Sequence, residues 1–180
     1  MLIEAERSSL LIVDVQQGLA PVVAEPRRVY RGCSLLMRGA LRLGLPLVVT
    51  EQYPKGLGTT VGELRELAPD GAVMEKLHFS SAADPAILER VRSFGRNQIV
   101  IAGIEAHICV LQSALGFKAV GFEVAVVADA CSSRDPDNFT VAMARLAANG
   151  IQVVTVEMVL FEWLHRAGTP EFKELSALIK

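Results

Sequence analysis

The sequence has little of several features that would point to a specialised class of protein. Its 180 residues include only three cysteines, Cys33, Cys109 and Cys131, and these are too few and too scattered for a disulfide framework or a zinc site. Aromatic residues make up 6% of the chain and the formal net charge is −2, while no run reaches the ~20 apolar residues that a membrane helix requires. We therefore expect neither a nucleic-acid partner nor a membrane partner.

The beginning of the chain does not resemble a signal peptide. Residues 1–9 mix Glu4, Glu6 and Arg7, whereas a signal peptide places basic residues before a long apolar run. Cysteines without a disulfide pattern are typical of a reducing compartment. We therefore expect a cytoplasmic protein whose partner is a small molecule.

Short apolar runs alternate with amphipathic segments along the chain. The runs lie at residues 10–13, 47–50, 98–102, 124–128 and 151–154, with a weaker one at 71–75. Most are continuously apolar, which is typical of strands covered by helices on both faces of a parallel sheet. With right-handed crossovers, this order predicts a single α/β domain over residues 1–180, a three-layer αβα structure on a mainly parallel sheet of five to six strands.

The segments between the runs carry helix signals. Residues 27–43 separate apolar from charged side chains. Asp84 and Asp135, each followed by proline, are N-caps for helices that extend to about residues 94 and 150. Further helices are predicted at about 106–118 and 156–164. The loop at 52–60 follows a strand directly, so it is a candidate wall or lid of a pocket at the carboxyl ends of the strands.

Three residues that follow predicted strands could carry chemistry, and each also has an ordinary structural explanation. Asp14 follows the run at 10–13, where a turn or capping aspartate is common. Lys76 follows the weaker run, where a surface lysine is the alternative. Cys109 lies near the start of the helix at 106–118, where free N–H groups would lower its pKa and make it reactive. That helix is apolar almost all round, so a buried structural cysteine is the alternative.

The three residues together favour a catalytic interpretation. Parallel strands bring their carboxyl ends to one edge of the sheet, so we expect Asp14, Lys76 and Cys109 to converge as a base, a charge stabiliser and a nucleophile.

Four segments carry a resemblance to a known family: LLIVDVQQG around Asp14, EKLHFSS around Lys76, VIAGIEAHICV around Cys109, and VVADACSSRD at 126–135. From residue 8 to about 160, the chain resembles the isochorismatase-like cysteine hydrolases, and looks closest to metal-free members of unassigned substrate. The resemblance implies a Rossmann-like fold, a catalytic triad of Asp14, Lys76 and Cys109, and a homo-oligomer. It also implies a cis peptide between Ile104 and Glu105, which would aim the Glu105 amide, together with the Cys109 amide, at the substrate oxygen.

The sequence departs from the metal-dependent nicotinamidases of that superfamily. Those enzymes carry an aspartate–histidine metal site after the second strand, whereas the corresponding stretch here is VVTEQYPKG, which contains no histidine. Glu51 and Gln52 do not make a convincing divalent site, so we predict no metal and no cofactor. The enzymes that cleave isochorismate need no cysteine at this position, so Cys109 favours acyl transfer over vinyl-ether hydrolysis.

Several other residues are weaker candidates. Gln52, Tyr53 and His78 could line the pocket, although a structural role for His78 is an equal alternative. His107 and Cys109 are two residues apart, which points them to different faces of a helix and makes a poor dyad. The remaining residues have structural interpretations: Cys33 is predicted in the core, Cys131 in a loop as a structural or supporting residue, and Phe161 and Trp163 in the core or a subunit interface.

The preferred hypothesis is a cysteine hydrolase that cleaves a small amide- or ester-like substrate through a thioester. Two alternatives are a non-catalytic binding or scaffold protein with the same fold, and a metal-dependent amidase of the nicotinamidase type.

Overall fold

A six-stranded, all-parallel sheet is the centre of the computed structural model, which describes residues 2–179. The strands are β1 (Ser8–Val13), β2 (Leu47–Gln52), β3 (Val73–Lys76), β4 (Gln98–Ile104), β5 (Glu123–Ser132) and β6 (Gln152–Val154). Their order in the sheet is β3-β2-β1-β4-β5-β6, so β1 and β4 lie at its middle. All six predicted strands are confirmed, including the weaker one.

Helices cover both faces of the sheet, which confirms the predicted three-layer α/β fold. They are α1 (Pro26–Leu43), α2 (Pro54–Leu57), α3 (Gly62–Arg65), α4 (Pro85–Ser93), α5 (Leu111–Ala119), α6 (Pro136–Ala148), α7 (Val156–Leu164) and α8 (Pro170–Ile179). Asp84 and Asp135 cap α4 and α6 through their side chains, as predicted. The short α2 and α3 and the terminal α8 were not predicted. Within residues 2–179, no helix has both the length and the apolar character needed to cross a bilayer.

The core consists of two apolar clusters, one on each face of the sheet. Leu10 and Ile12 of β1 point into the cluster under α1 and α7, while Leu11 and Val13 point into the cluster under α4, α5 and α6. Both faces of β1 are therefore covered by helices, which explains why its sequence is continuously apolar. Cys33 lies fully buried in the first cluster, so its predicted place in the core is confirmed.

The ends of β4 and β5 differ from the prediction. Both strands are longer than expected, and Cys131 lies within β5, so its predicted loop position is wrong. The pairing of β4 with β5 shifts register between Ile101 and Gly103, an irregularity that lets pairing resume at Cys131. Gly103 has φ +122°, and a Cβ at this position would lie 2.1 Å from the carbonyl oxygen of Val13.

The close approach of Gly103 to β1 generates a stability prediction. In Gly103→Ala, the methyl group would overlap the Val13 backbone, so we expect the free energy of unfolding to fall by about 3 kcal/mol or more, as in a severely overpacked core. Gly95→Ala is the matched control, because Gly95 also has positive φ but open space around it, so it should lose only about 1 kcal/mol. Urea unfolding checks both variants. Equal losses would contradict a special constraint at Gly103.

Candidate active site

A buried ion pair between Asp14 and Lys76 lies at the carboxyl edge of the sheet. Asp14 directly follows β1 with a left-handed backbone, φ 53°, and Lys76 is the last residue of β3. The Lys76 Nζ is 2.7 Å from the Asp14 Oδ2, and both side chains are fully buried. Thr50, in the intervening strand β2, donates its hydroxyl to the other Asp14 oxygen, Oδ1, at 2.7 Å. The structure therefore brings two of the three predicted residues into direct contact.

The Lys76 ammonium has a complete set of acceptors. Besides Asp14, the Nζ donates to the Gln52 Oε1 at 2.7 Å and to the carbonyls of His78 and Phe79 at 3.2 and 3.3 Å. An ammonium has three N–H donors, so these four acceptors leave it no spare donor for a ligand. Gln52, predicted as a pocket residue, is buried and instead holds Lys76. The arrangement suits Lys76 to electrostatic stabilisation rather than to proton donation.

Cys109 lies beside this pair, in a π-helical turn (Ala106–Val110) that joins β4 to α5. The residue is 5% exposed. Burial first, and then the negative charge of Asp14, raise the pKa of the Cys109 thiol to about 12, while the Lys76 charge lowers it. The predicted lowering of the Cys109 pKa by a helix N-terminus is therefore wrong, because desolvation and the carboxylate outweigh the favourable charges. At neutral pH the site holds a protonated thiol next to a carboxylate.

The backbone that leads to Cys109 turns sharply at Glu105. The peptide between Ile104 and Glu105 is cis, as the family resemblance implies. The Glu105 carbonyl accepts hydrogen bonds from the amides of Ile108 and Val110 at 3.1 and 3.2 Å, which closes the π turn around Cys109. An oxyanion hole formed by the Glu105 and Cys109 amides remains a prediction.

A groove of about 420 Å³ borders the site. It is lined by Tyr53, Pro54, Lys55, Glu75, Lys76, Leu77, His78 and Asp84, so Tyr53 and His78 do line a cavity. Neither Asp14 nor Cys109 lines this groove. Lys76 is therefore the residue that connects the groove with the buried carboxylate and thiol.

The loop at 52–60 forms one wall of the groove and is held in place by hydrogen bonds. The Gln16 side chain donates to the Gly58 carbonyl at 2.7 Å, and the amides of Gln17 and Gly18 donate to the carbonyls of Thr59 and Leu57, both at 2.9 Å. A Cβ on Gly18 would lie 2.7 Å from the Leu57 oxygen. These contacts tie the loop to the segment that follows Asp14.

The acidic side chain near the end of the second strand, Glu51, is already engaged by protein groups. The Glu51 Oε1 accepts from the amide and hydroxyl of Thr60 at 2.7 and 2.8 Å and from Arg65 at 2.7 Å. Over residues 2–179, no group of three or more His, Cys, Asp or Glu side chains is arranged to hold a metal ion. Glu51 thus anchors the segment that follows α2.

The remaining candidates lie in different surroundings. The His107 Nδ1 is 2.9 Å from the Ser133 Oγ, so the imidazole contacts the end of β5. Trp163 is buried in the core, as predicted, whereas Phe161 is partly exposed and packs edge-to-face on Phe172 of α8. Thr50 was missed by the sequence analysis, although a polar residue ending an otherwise apolar strand was a usable signal.

Comparison with known proteins assigns the chain to a family. A model of the isochorismatase domain matches residues 8–158. The chain belongs to the isochorismatase domain family. It is 36% identical to a secreted isochorismatase effector, Isc1, of Phytophthora sojae, over 96% of this chain and 84% of that protein. It is 38% identical to isochorismatase domain-containing protein 1 of Danio rerio, over 93% of this chain but only 59% of that relative.

Solved structures of the family have the same fold. A structure described as the MAR1 ribonuclease of Caenorhabditis elegans superposes with a TM-score of 0.93 at 31% identity, covering 99% of this chain and 92% of that chain. The ycaC gene product of Escherichia coli, described as an octameric hydrolase of unknown specificity, has a TM-score of 0.93 at 25% identity, covering 99% and 90%. YcaC from Pseudomonas aeruginosa, described with hexane-2,5-diol and covalent acrylamide, has a TM-score of 0.92 at 25% identity, covering 98% and 91%.

The raised pKa of Cys109 predicts an unusual response to the loss of Asp14. Alkylation by iodoacetamide requires the thiolate, so the rate at Cys109 should rise roughly tenfold per pH unit through neutral and mildly alkaline pH without a plateau. Because the Asp14 charge raises this pKa and Lys76 lowers it, Asp14→Asn should lower the pKa and speed alkylation at pH 8. Peptide mass spectrometry measures the rate at each cysteine.

Glu75→Gln is the control for that experiment. Glu75 lines the neighbouring groove and is not among the charges that shift the Cys109 pKa, so its alkylation profile should match the parent. Slower alkylation in Asp14→Asn than in the parent would contradict the electrostatic account.

The buried ion pair predicts strong coupling in stability. Lys76→Met leaves the Asp14 carboxylate buried without its partner, so the free energy of unfolding should fall by about 3–5 kcal/mol. In the double variant with Asp14→Asn, the unpaired buried carboxylate is also removed, so part of the lost free energy of unfolding should be recovered. Urea unfolding of the parent, both single variants and the double variant gives the coupling energy. Strictly additive losses would show that the two groups do not depend on each other.

Proposed function

We propose that the protein hydrolyses a small amide or ester through a thioester on Cys109. The observation that carries the proposal is the buried Cys109 next to the Asp14 carboxylate, which is itself paired with the buried Lys76 ammonium. A carboxylate in this position can accept the thiol proton, and the neighbouring cation stabilises the thiolate as it forms. Membership of the isochorismatase domain family and the hydrolase described among its structural neighbours support a hydrolase.

The reaction begins with proton transfer from the Cys109 thiol to Asp14. The thiolate attacks the substrate carbonyl, and the Glu105 and Cys109 amides bind the resulting oxyanion. The tetrahedral intermediate collapses when the carbon–nitrogen or carbon–oxygen bond breaks and Asp14 gives its proton to the leaving group. Asp14 then takes a proton from water, whose oxygen attacks the thioester carbonyl. The carbon–sulfur bond breaks to release the acid, and Asp14 returns its proton to the sulfur.

The groove at Tyr53 and Leu77 reaches the site through Lys76, and we propose it as the entry for a small substrate rather than as the place of reaction, since neither Asp14 nor Cys109 lines it. Its volume of about 420 Å³ lies in the range of small-molecule pockets. The covalent acrylamide described for the Pseudomonas aeruginosa neighbour supports a nucleophile in this family, since acrylamide is an electrophile. We propose a mechanism without a metal or an organic cofactor, because the residues after β2 lack histidine and Glu51 is already bound by Thr60 and Arg65.

The chain's assembly and location are also proposals. The octameric Escherichia coli neighbour supports a homo-oligomer. The cytoplasmic location stays a prediction, since one relative is described as secreted.

The ribonuclease description of the Caenorhabditis elegans neighbour adds RNA to the substrates to be tested, against the expectation of no nucleic-acid partner.

The proposal is tested by trapping the acyl-enzyme. The parent chain is incubated with p-nitrophenyl acetate, a panel of small amides and a single-stranded RNA, and is then examined by intact-mass and peptide mass spectrometry. We expect an acyl group on Cys109 and release of the leaving group. Cys109→Ala should lower turnover by at least about 10³-fold while the fold remains intact.

Cys131→Ala is the matched control, since Cys131 is fully buried and plays no part in the mechanism; it should retain both acylation and turnover. Full activity in Cys109→Ala would rule out the cysteine mechanism. Loss of activity on chelation and its return with added metal would favour the nicotinamidase-type alternative. If no substrate in the panel is turned over and no acyl group appears on Cys109, the binding-protein alternative is favoured.

A further inference from the structure

Glu105 carries a buried carboxylate that the proposed chemistry does not use. Its side chain is 6% exposed, and both carboxylate oxygens are bound by Arg134. The Arg134 main-chain amide donates to Oε2 at 2.9 Å, and its Nε lies 3.1 Å from both oxygens. A buried carboxylate is costly without such partners, so Arg134 determines where the Glu105 side chain can lie.

Glu105 is therefore held by hydrogen bonds at its side chain and at its main-chain carbonyl. Its carboxylate is bound to Arg134, and its carbonyl accepts from Ile108 and Val110 to close the π turn around Cys109. The amide nitrogen of Glu105 is attached to the same Cα as both of these anchored groups. Its direction thus depends on the contact with Arg134 as well as on the turn itself.

The segment that holds Glu105 is itself anchored. Ser133 is fully buried, its carbonyl accepts from the Ala24 amide at 3.0 Å, and its hydroxyl lies 2.9 Å from the His107 Nδ1. The segment 133–134 after β5 thus contacts the π turn twice, through Glu105 and through His107. Arg134 is attached to a rigid support rather than to a free loop.

We propose that Arg134 is a positioning residue, which acts through Glu105 to aim the oxyanion-binding amide at the substrate carbonyl. The inference rests on the proposed acyl transfer at Cys109. It assigns to the Glu105–Arg134 pair a role mainly in the tetrahedral step, since the thiol is activated by Asp14 and the Glu105 charge is the weakest of the causes that shift the Cys109 pKa. The Arg134 side chain is 60% exposed, and in Arg134→Ala the main-chain amide of residue 134 would still bind the Glu105 Oε2, so the variant should fold with some loss of stability.

Two reactions of the same sulfur test this role. Acylation by p-nitrophenyl acetate passes through an oxyanion, whereas alkylation by iodoacetamide at a saturated carbon does not. In Arg134→Ala, the acylation rate of Cys109 should fall at least about tenfold, as expected when an oxyanion donor is misplaced, while the alkylation rate stays within about twofold. Arg134→Lys keeps the charge without the planar guanidinium and should give an intermediate acylation rate.

Arg145→Ala is the control, because Arg145 is an exposed arginine on α6, and both of its rates should equal those of the parent. Equal falls of both rates in Arg134→Ala, or no fall in either, would overturn the positioning role. If acylation of the parent occurs away from Cys109 or not at all, the proposed function itself fails, and this outcome is seen in the parent before any Arg134 variant is compared.

Discussion

The structure depends on one buried ion pair, in which the Lys76 ammonium and the Asp14 carboxylate lie 2.7 Å apart without exposure to solvent. Neither charge is tolerable in that position without the other. The sheet meets this requirement because β1, β2 and β3 are adjacent and parallel. The Asp14 carboxylate directly follows β1, the Lys76 ammonium ends β3, and β2 between them contributes Thr50 and Gln52 as hydrogen-bond partners. The topology therefore explains why the pair can be assembled from residues 62 positions apart.

The same ion pair also affects the pKa of the Cys109 thiol. The pKa of Cys109 is raised to about 12 because burial and the Asp14 charge outweigh the Lys76 charge. In the proposed mechanism, Cys109 therefore rests as a neutral thiol and is activated by proton transfer only when it attacks the substrate. A cysteine of this kind is protected from indiscriminate alkylation and oxidation, since the thiolate is the reactive form. Reactivity is then conditional on a substrate that reaches the site.

Much of the fold and part of the site could be predicted from the sequence. Continuous apolar runs located all six strands, and the rule that parallel strands end at one edge brought Asp14 and Lys76 together. The pKa of Cys109 was predicted in the wrong direction, because the local signal of a helix start says nothing about burial by the other elements. Cys131 was misplaced because the register shift between Ile101 and Gly103 depends on contacts between strands rather than on local pattern.

The Glu105–Arg134 pair shows a further limit of local patterns. Glu105 and Arg134 are 29 positions apart, and neither lies on an apolar stripe whose period would place it on a known face. Only the pairing of β4 with β5 makes them neighbours, since Ile104 pairs with Ser132 at the ends of the two strands. The pairing that ends at these residues places Glu105 and Ser133 directly beyond it. The geometry of the turn that carries Cys109 thus depends on the adjacent strand, just as the pKa of its thiol depends on the Asp14 and Lys76 charges supplied next to β1 and by β3.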